Sequence, residues 1–344
     1  MSERASVIET VTGPLPVTAA GPVLAAEVLL QAAPPLAGNT GRPASEVAFA
    51  REPVAIGNLG RLLLGAPNRD DRTLAEADAA HALGVYAASV DASPESGPHA
   101  ESAAQRAQPV VVVLDAATVE AQDPTRTSAA LRRLSAASGV AIVRRTAIRV
   151  SATPADFRAA ARAARLAGEG LMLSPGAELA EAAAAVARLE AEGLPGKRIT
   201  LTGAQRLIGR RREGAPNAGF GTGDGAGVDP DRLEGLIALA QSSGITLCFD
   251  ELGRIPTVRT VVSDHDIAVA ILRCAARGLG EHVTLSCGIR AKHQLTAFGG
   301  NGLEFITQQF LPYLGMLGAD AALRAAIGGE TALRFLQRSE GKAV

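Results

Sequence analysis

Short runs of apolar residues alternate along the chain with longer stretches in which apolar residues recur at helical spacing. An uninterrupted apolar run is typical of a strand buried on both faces, and apolar residues three and four apart are typical of a helix that packs on such strands. Strands that alternate with helices predict a (β/α)8 TIM barrel, in which active sites lie at the C-terminal ends of the strands. The pattern predicts eight strands, at Pro22–Leu29, Val85–Asp91, Val110–Asp115, Val140–Val150, Leu171–Ser174, Ile199–Thr202, Ile245–Asp250 and Val283–Cys287.

Helix boundary signals support this alternation. The stretch after Val150 offers Thr153 as N-cap, Pro154 at the first helical position and Gly168 as the end. The stretch that begins at Ser263 has acidic residues in its first turn, arginine in its last turn, and then Gly278. We therefore expect a helix between successive strands.

Two connections are longer than the alternation requires. One is the first βα connection, Gln31–Thr73, and the other is the Gly-rich loop Leu207–Asp229, which follows the sixth strand. Glycines give a loop little to pack, so we expect Leu207–Asp229 to be a mobile lid. Its "GFGTGDGAG" segment does not open a helix directly, which argues against a phosphate-binding loop. We predict a single barrel domain over residues 1–344.

Composition narrows the function classes. A net charge of −1 gives no electrostatic footprint for nucleic acid. The chain lacks an apolar run long enough to span a membrane, and its polar start, "MSERASVIET", lacks a signal-peptide core. The three cysteines are too few and too scattered for a disulfide framework or a zinc cluster. We expect a cytoplasmic protein without nucleic-acid or membrane partners.

Four sequence motifs point to a known family. The segment "VTLSCGIRAKHQLTAFGGNG", from Val283 to Gly302, resembles the eighth-strand motif of the phosphotriesterase family of the amidohydrolase superfamily. "FDELGR", from Phe249 to Arg254, is similar to that family's seventh-strand motif, and "TGPLP" and "SPG" also match. The resemblance spans nearly the whole chain and implies the barrel fold, with two divalent metals that support the hydrolysis of phosphotriesters or lactones.

The residues that the resemblance places at the metal-ligand positions do not bind such metals. The family has two histidines on strand one, a carboxylated lysine on strand four, histidines on strands five and six, and an aspartate on strand eight. The corresponding residues here are Ala26, Val28, Arg149, Met172 (or Leu173, one residue on), Gly203 and Gly288. None of these suits a hard or borderline divalent cation. We therefore predict a divergent member with no metal cofactor and no metal-dependent hydrolysis.

Strand alternation indicates which side chains face the barrel lumen. Arg149 and Asp250 are our candidate catalytic residues: Arg149 supplies a permanent positive charge, and Asp250 matches the family's proton-shuttling aspartate. The alternative is a buried Arg149–Asp250 ion pair that fills the former metal site. We expect Glu27 to face the helices, because Ala26 and Val28 on either side of it face the lumen. The candidate substrate-binding residues are Asp91, Asp115, Ser151, Met172, Gln205, Arg206 and Cys248.

Two hypotheses remain open. The first is a metal-independent enzyme with lyase, isomerase, cyclase or hydrolase chemistry on a small anionic or carbonyl-bearing molecule. The second is a pseudoenzyme that serves as a binding module or as the partner of an active homologue. As partners of the protein we expect a small-molecule ligand and either a second copy of the chain or an active homologue. A pocket lined by Arg149, Asp250 and Gln205 favours the enzyme, and a mouth filled by Met172, Leu173 and Val28 favours the pseudoenzyme. The retained cation at Arg149 leads us to favour the enzyme.

Overall fold

A computed structural model of the protein describes residues 6–35, 38, 40–92, 107–116, 124–210 and 227–337. Within these ranges, seven parallel strands follow one another in chain order around the sheet. An antiparallel hairpin, β1 and β2, precedes them. The strands are β1 Val7–Thr10, β2 Gly13–Pro16, β3 Ala20–Glu27, β4 Gln108–Ala116, β5 Ala141–Arg149, β6 Leu171–Ser174, β7 Ile199–Leu201, β8 Thr246–Phe249 and β9 Val283–Leu285.

Helices flank the sheet, so the predicted barrel architecture is confirmed, with seven of the eight predicted strands present. The helices are α1 Ala44–Phe49, α2 Leu59–Leu63, α3 Glu76–Asp91, α4 Pro124–Ser138, α5 Pro154–Ala167, α6 Leu179–Ala191, α7 Ala204–Ile208, α8 Pro230–Ser243, α9 Asp264–Ala276, α10 Leu311–Met316, α11 Ala321–Ala325 and α12 Thr331–Leu336. Short 3-10 and π-helical turns, among them Lys292–Gln294 and Ala326–Glu330, join several of them.

The predicted strand Val85–Asp91 is wrong, because these residues form the second half of α3. The buried residues of α3 recur at intervals of three and four from Ala79 to Val90, which is helical spacing. The Asp78 side chain accepts a hydrogen bond from Ala75 N (2.9 Å) and so caps the N-terminus. The apolar run at Val85 is therefore one part of a longer amphipathic helix.

The predicted helix signals after Val150 are confirmed. Thr153 caps α5 through a reciprocal pair of hydrogen bonds with Asp156, and Gly168 ends the helix in the left-handed region, at φ +64°.

The barrel lumen is filled by small and medium apolar side chains. Strand residues at alternate positions, among them Val112, Val143 and Met172, form one buried cluster with residues of α12. The ring of Phe335 lies where a side chain on Gly170 would project, so a residue larger than glycine does not fit there. The C-terminal helix therefore closes the N-terminal end of the barrel, and access to the interior is from the C-terminal end.

The seam between β3 and β9, the two edge strands of the sheet, is closed by Glu27. Its carboxylate is fully buried and accepts hydrogen bonds from the Ser286 hydroxyl (2.6 Å) and from three successive backbone N–H groups. These are the amides of Cys287 (2.7 Å), Gly288 (2.9 Å) and Ile289 (2.9 Å). The Ser286 hydroxyl in turn accepts from Ala26 N (2.9 Å). One side chain thus joins the first barrel strand to the last.

This arrangement corrects the predicted facing of β3. The strand pairing with β4 is irregular between Leu24 and Glu27. Beyond this irregularity, Glu27 reaches β9 rather than the helices, and Val28 packs on the outer core rather than in the lumen. Ala26 does face the lumen cluster, as predicted.

The predicted lid falls largely on residues 211–226, which lie outside the described residues. The two ends of the loop are described, and they form an antiparallel bridge between Gly209 and Val228. Arg210 N donates to Gly227 O (3.0 Å). No helix within the described ranges combines the length and apolar character needed to cross a bilayer.

We expect Glu27→Gln to lower the free energy of unfolding by about 2–4 kcal/mol, because an amide nitrogen would face donors that now have a buried acceptor. Urea unfolding followed by circular dichroism measures the change. Glu52→Gln alters an exposed side chain and should leave stability nearly unchanged. Equal stability of the two variants would contradict the role of Glu27 at the seam.

Candidate functional site

Asp250 and Gln205 form the centre of the C-terminal mouth of the barrel. Asp250 directly follows β8, two residues after the lumen-facing Cys248, and is 2% exposed. Gln205 lies in the first turn of α7, which begins after Gly203 turns the chain at φ +64°. Gln205 Nε2 donates to Asp250 Oδ1 (3.0 Å), and Asp250 N donates to Gln205 Oε1 (3.2 Å). This reciprocal pair fixes the orientation of the carboxylate.

Burial raises the pKa of Asp250 above its ordinary range, and the nearby charge of Glu251 adds to this shift. The hydrogen bond from Gln205 and the positive charges of Arg290 and Arg206 oppose it. Within the described residues, Oδ1 accepts the Gln205 bond and Oδ2 accepts none. The group is therefore a buried carboxylate with one unengaged oxygen and a raised proton affinity, which is suited to proton transfer.

Three arginines follow successive strands near the mouth: Arg206 after β7, Arg254 after β8 and Arg290 after β9. Arg206, in α7, forms an ion pair with Glu251, and this pair lowers the pKa of Glu251 despite burial. Arg290 follows β9, and its backbone N–H donates to Gln294 Oε1 (2.7 Å). Arg254 Nη2 donates to Gly288 O (2.6 Å), which ties the loop after β8 to the loop after β9.

Gly288 occupies the eighth-strand position at which the resemblance places an aspartate ligand. Its φ is +57°, and a Cβ atom there would overlap the backbone carbonyl oxygen of Asp250. Any side chain at this position would need a shift of the Asp250 backbone. The close approach of these two loops therefore requires glycine.

Arg149 does not have the predicted environment. It is the last residue of β5, lies opposite Ser174 in the strand register, and is exposed. The ion pairs of the described residues do not include one between Arg149 and Asp250, so the buried-pair interpretation is wrong. Because Arg149 is the last residue of β5, its side chain lies at the end of the strand and is open to solvent.

The other predicted binding residues divide into three groups. Met172 and Cys248 are buried in the lumen cluster, where the alternation placed them. Asp91 is exposed at the C-terminal end of α3, a helix that runs back toward the start of β4, so its predicted place at the mouth is wrong. Ser151 is exposed beyond β5. Asp115 is in β4, and its side chain lies outside the described part of the chain.

The buried thiols near the site are poor nucleophiles. Burial, with the nearby charges of Asp250 and Glu27, raises the pKa of Cys248 well above its ordinary value. Burial also raises the pKa of Cys287, whose Sγ contacts Leu303 O at 3.7 Å. Neither thiol forms thiolate readily at neutral pH, so the chemistry of the site belongs to its oxygen and nitrogen groups.

Several polar residues near the mouth were not predicted as functional. Arg254 and Arg290 follow strands β8 and β9, but a single sequence does not distinguish them from solvated loop arginines. His293 contacts Asp71 through Nδ1 (2.8 Å), a pairing between residues 222 positions apart. Such a contact depends on how the first βα connection folds over the barrel. Within the described ranges, no three His, Cys, Asp or Glu side chains come close enough together to hold a metal ion.

Comparison with known proteins supports the fold. No protein-family model matches the chain, and no curated protein matches it. Among solved structures, a resiniferatoxin-binding protein from Rhodobacter sphaeroides is similar with a TM-score of 0.72 and 21% identity, over 98% of each chain. A phosphotriesterase homology protein from Escherichia coli, complexed with phosphate in its active site, has a TM-score of 0.58 and 15% identity, over 93% of this chain and 99% of its own. A lactonase from Listeria monocytogenes has a TM-score of 0.62 and 13% identity, over 97% of this chain and 100% of its own. At these identities the likeness shows that the chain has the barrel fold of phosphotriesterase-like proteins.

We expect Gln205→Leu to raise the pKa of Asp250 further, because the variant removes the neutral donor that opposes the effect of burial. A carboxyl ¹³C NMR titration of labelled aspartate measures the shift. Because the folded pKa is raised, the stability contributed by Asp250 is complete below its unfolded pKa of about 3.9 and declines as pH rises through the folded value. The variant should therefore lose more stability than the wild type between acid and neutral pH.

Gln308→Leu is the matched control, since Gln308 is exposed. An unchanged or lower Asp250 pKa in Gln205→Leu would show that the amide does not tune the carboxylate.

Proposed function

We propose that this barrel binds a small anionic or carbonyl-bearing molecule at its C-terminal mouth and acts on it by proton transfer at Asp250, without a binuclear metal centre. The observation that carries the proposal is the buried, Gln205-clamped carboxylate of Asp250 with its raised pKa.

The residues at the former ligand positions do not fit two divalent metals. Ala26 and Met172 are buried in an apolar cluster, and Gly203 offers no side chain. A side chain at Gly288 would overlap the backbone carbonyl oxygen of Asp250. Arg149 is a permanent cation. The remaining buried acid of the mouth, Glu27, is committed to four hydrogen-bond donors at the seam.

In this proposal Asp250 is the general acid–base. Its raised pKa brings the proton affinity of the carboxyl closer to neutral pH, where such catalysis is most effective. Gln205 holds Oδ1, so Oδ2 is the oxygen that exchanges a proton with the bound molecule. We assign stabilisation of developing negative charge to Arg290, whose field reaches Asp250, rather than to Arg149.

A binding protein without catalysis is the second candidate. The Rhodobacter sphaeroides structure with the same fold is described as a resiniferatoxin-binding protein, not as an enzyme. The 2% exposure of Asp250 also suits a carboxylate that only orders the loops around a ligand. The two candidates differ in whether Asp250 exchanges protons with a bound molecule.

We expect the purified protein to retain well below one equivalent of zinc, cobalt or manganese per chain after incubation with each metal and dialysis. The reason is the mismatch at every former ligand position. Elemental analysis by mass spectrometry measures the content. Two tightly held equivalents would contradict the proposed loss of the metal centre.

We expect the wild type to accelerate deuterium exchange at carbon atoms next to the carbonyl in small 2-oxo acids or 1,3-dicarbonyl compounds, in D₂O with a chelator present. Asp250→Asn should slow that exchange by about 10²–10⁴-fold, the usual contribution of a general base. Proton NMR follows the reaction.

Asp231→Asn, in an exposed turn of α8, is the control and should keep the wild-type rate. If the wild type binds these compounds without exchanging their protons, the binding-protein candidate replaces the enzyme. Exchange that persists at the wild-type rate in Asp250→Asn would remove Asp250 from the reaction.

A further inference from the structure

A cavity of about 200 Å³ lies beside the barrel mouth, between the loop after β8, the turn Lys292–Gln294 and α2. We call it the loop pocket. Its volume equals that of about seven water molecules in the liquid, which suits a small ligand group rather than a whole drug-sized molecule. Its polar lining residues are Arg254, Thr257, Arg259, Thr260, His293 and Gln294. None of these residues has a catalytic role in the proposed function.

The loop pocket is cationic. Two arginines and a histidine line it, and its described lining contains no carboxylate. Three acids near the lining residues have other partners: Asp71 contacts His293 Nδ1 (2.8 Å), Asp264 accepts from Gly253 N (3.2 Å), and Glu251 pairs with Arg206. A concave site with one sign of charge concentrates counter-ions, so this cavity favours an anion.

Arg259 is held at the pocket by shape rather than by an ion pair. It packs over Gly65, which has φ +79° and carries no side chain, and a Cβ atom there would overlap the guanidinium. The described residues provide no carboxylate within salt-bridge distance of Arg259. The side chain is exposed, so the donors of its guanidinium that point away from Gly65 are open to an occupant.

The neutral side chains of the pocket also present donors. The Thr260 hydroxyl oxygen accepts from Thr257 N (2.9 Å), and the Thr257 hydroxyl oxygen accepts from Arg259 N (3.1 Å). Each hydroxyl proton is thus left to donate. Gln294 Oε1 accepts from Arg290 N (2.7 Å), which leaves its NH₂ group. His293 Nδ1 faces the Asp71 carboxylate and so carries hydrogen, which leaves Nε2 to contact an occupant.

We propose that the loop pocket binds the phosphate group of a small phosphorylated molecule. Two guanidiniums, two hydroxyls and an amide offer more donors than the roughly four acceptor positions of a carboxylate. A phosphate monoester presents three strong acceptor oxygens and a charge between about −1.5 and −2, and matches both the donors and the charge. Leu63 and Ile255 complete the wall and provide an apolar surface for the attached carbon chain.

The proposal is independent of proton transfer at Asp250. The pocket nevertheless borders the mouth, because Arg254, which lines it, donates to Gly288 O (2.6 Å). A phosphate seated on Arg254 would lie next to the loop that Glu27 and Asp250 both contact.

The test is a titration with inorganic phosphate at pH 7.5 and constant ionic strength, followed by amide NMR shifts. We expect saturable shifts at Thr257, Thr260 and Gly300, and the same set of shifts with glycerol phosphate. Arg259→Gln should weaken binding by about tenfold or more, because it removes a charge-assisted contact. Arg259 is exposed and forms no ion pair with the described residues, so the variant should fold normally.

Arg158→Gln, on the exposed face of α5, should bind phosphate as the wild type does. If Arg259→Gln bound phosphate as tightly as the wild type, the assignment of the site would be overturned. NMR shifts confined to other parts of the chain would overturn it as well. Acetate binding as tightly as phosphate would overturn the ligand class. Proton exchange that is lost in Asp250→Asn while phosphate binding is retained would separate this site from the chemistry at the mouth.

Discussion

The hydrogen bonds of the Glu27 carboxylate are the interaction on which the rest of the barrel depends. The seven described parallel strands leave two edges, β3 and β9, and a parallel barrel is stable only when those edges meet. One fully buried carboxylate joins them by accepting from the Ser286 hydroxyl and from three consecutive backbone amides. Burial raises the pKa of Glu27, and the four hydrogen-bond donors oppose that shift. The bonds also fix the path of residues 286–289, and this turn forms one wall of the mouth.

The seam explains why the former metal space is closed. With its N–H bound to Glu27, Gly288 is held against the carbonyl of Asp250, and its positive φ leaves no place for an aspartate side chain. Asp250 is in turn held by Gln205 of α7, the helix that follows the neighbouring strand β7. Both buried acids of the mouth accept hydrogen bonds from neutral donors, at both oxygens of Glu27 and at Oδ1 of Asp250. A binuclear metal site needs several carboxylates and imidazoles that are free to coordinate, and within the described residues only Oδ2 of Asp250 is left.

Local signals in the sequence predicted the elements that depend on local physics. Thr153, Pro154 and Gly168 mark the ends of α5 because caps and turns are decided within a few residues. Seven strands were recognisable from their apolar runs, and Gln205, Cys248 and Met172 were placed correctly by counting from them. Val85–Asp91 was misassigned because a short apolar run does not separate a strand from half of a helix. The facing of Glu27 depends on an irregularity in β3, and the exposure of Arg149 depends on where β5 ends in the assembled sheet. Both depend on how the strands assemble into the sheet, which the alternation of residues along a single strand does not predict.

Four arginines lie around the rim of the barrel mouth, whereas the buried Arg145 of β5 pairs with Glu169 and donates to the backbone of α12. The lumen beneath Asp250 holds Cys248, Met172 and small aliphatic residues, an environment in which an uncompensated cation would be costly. Arg206 lies in the short helix α7, and Arg254, Arg259 and Arg290 lie on loops that follow strands, where water can solvate them before a ligand arrives. Arginine on a rim attracts an anion and can contact it directly, whereas a cation at the bottom of a lumen activates a water or a carbonyl. The distribution of charge therefore favours recognition of a negatively charged ligand from above, with the buried carboxyl of Asp250 positioned below it.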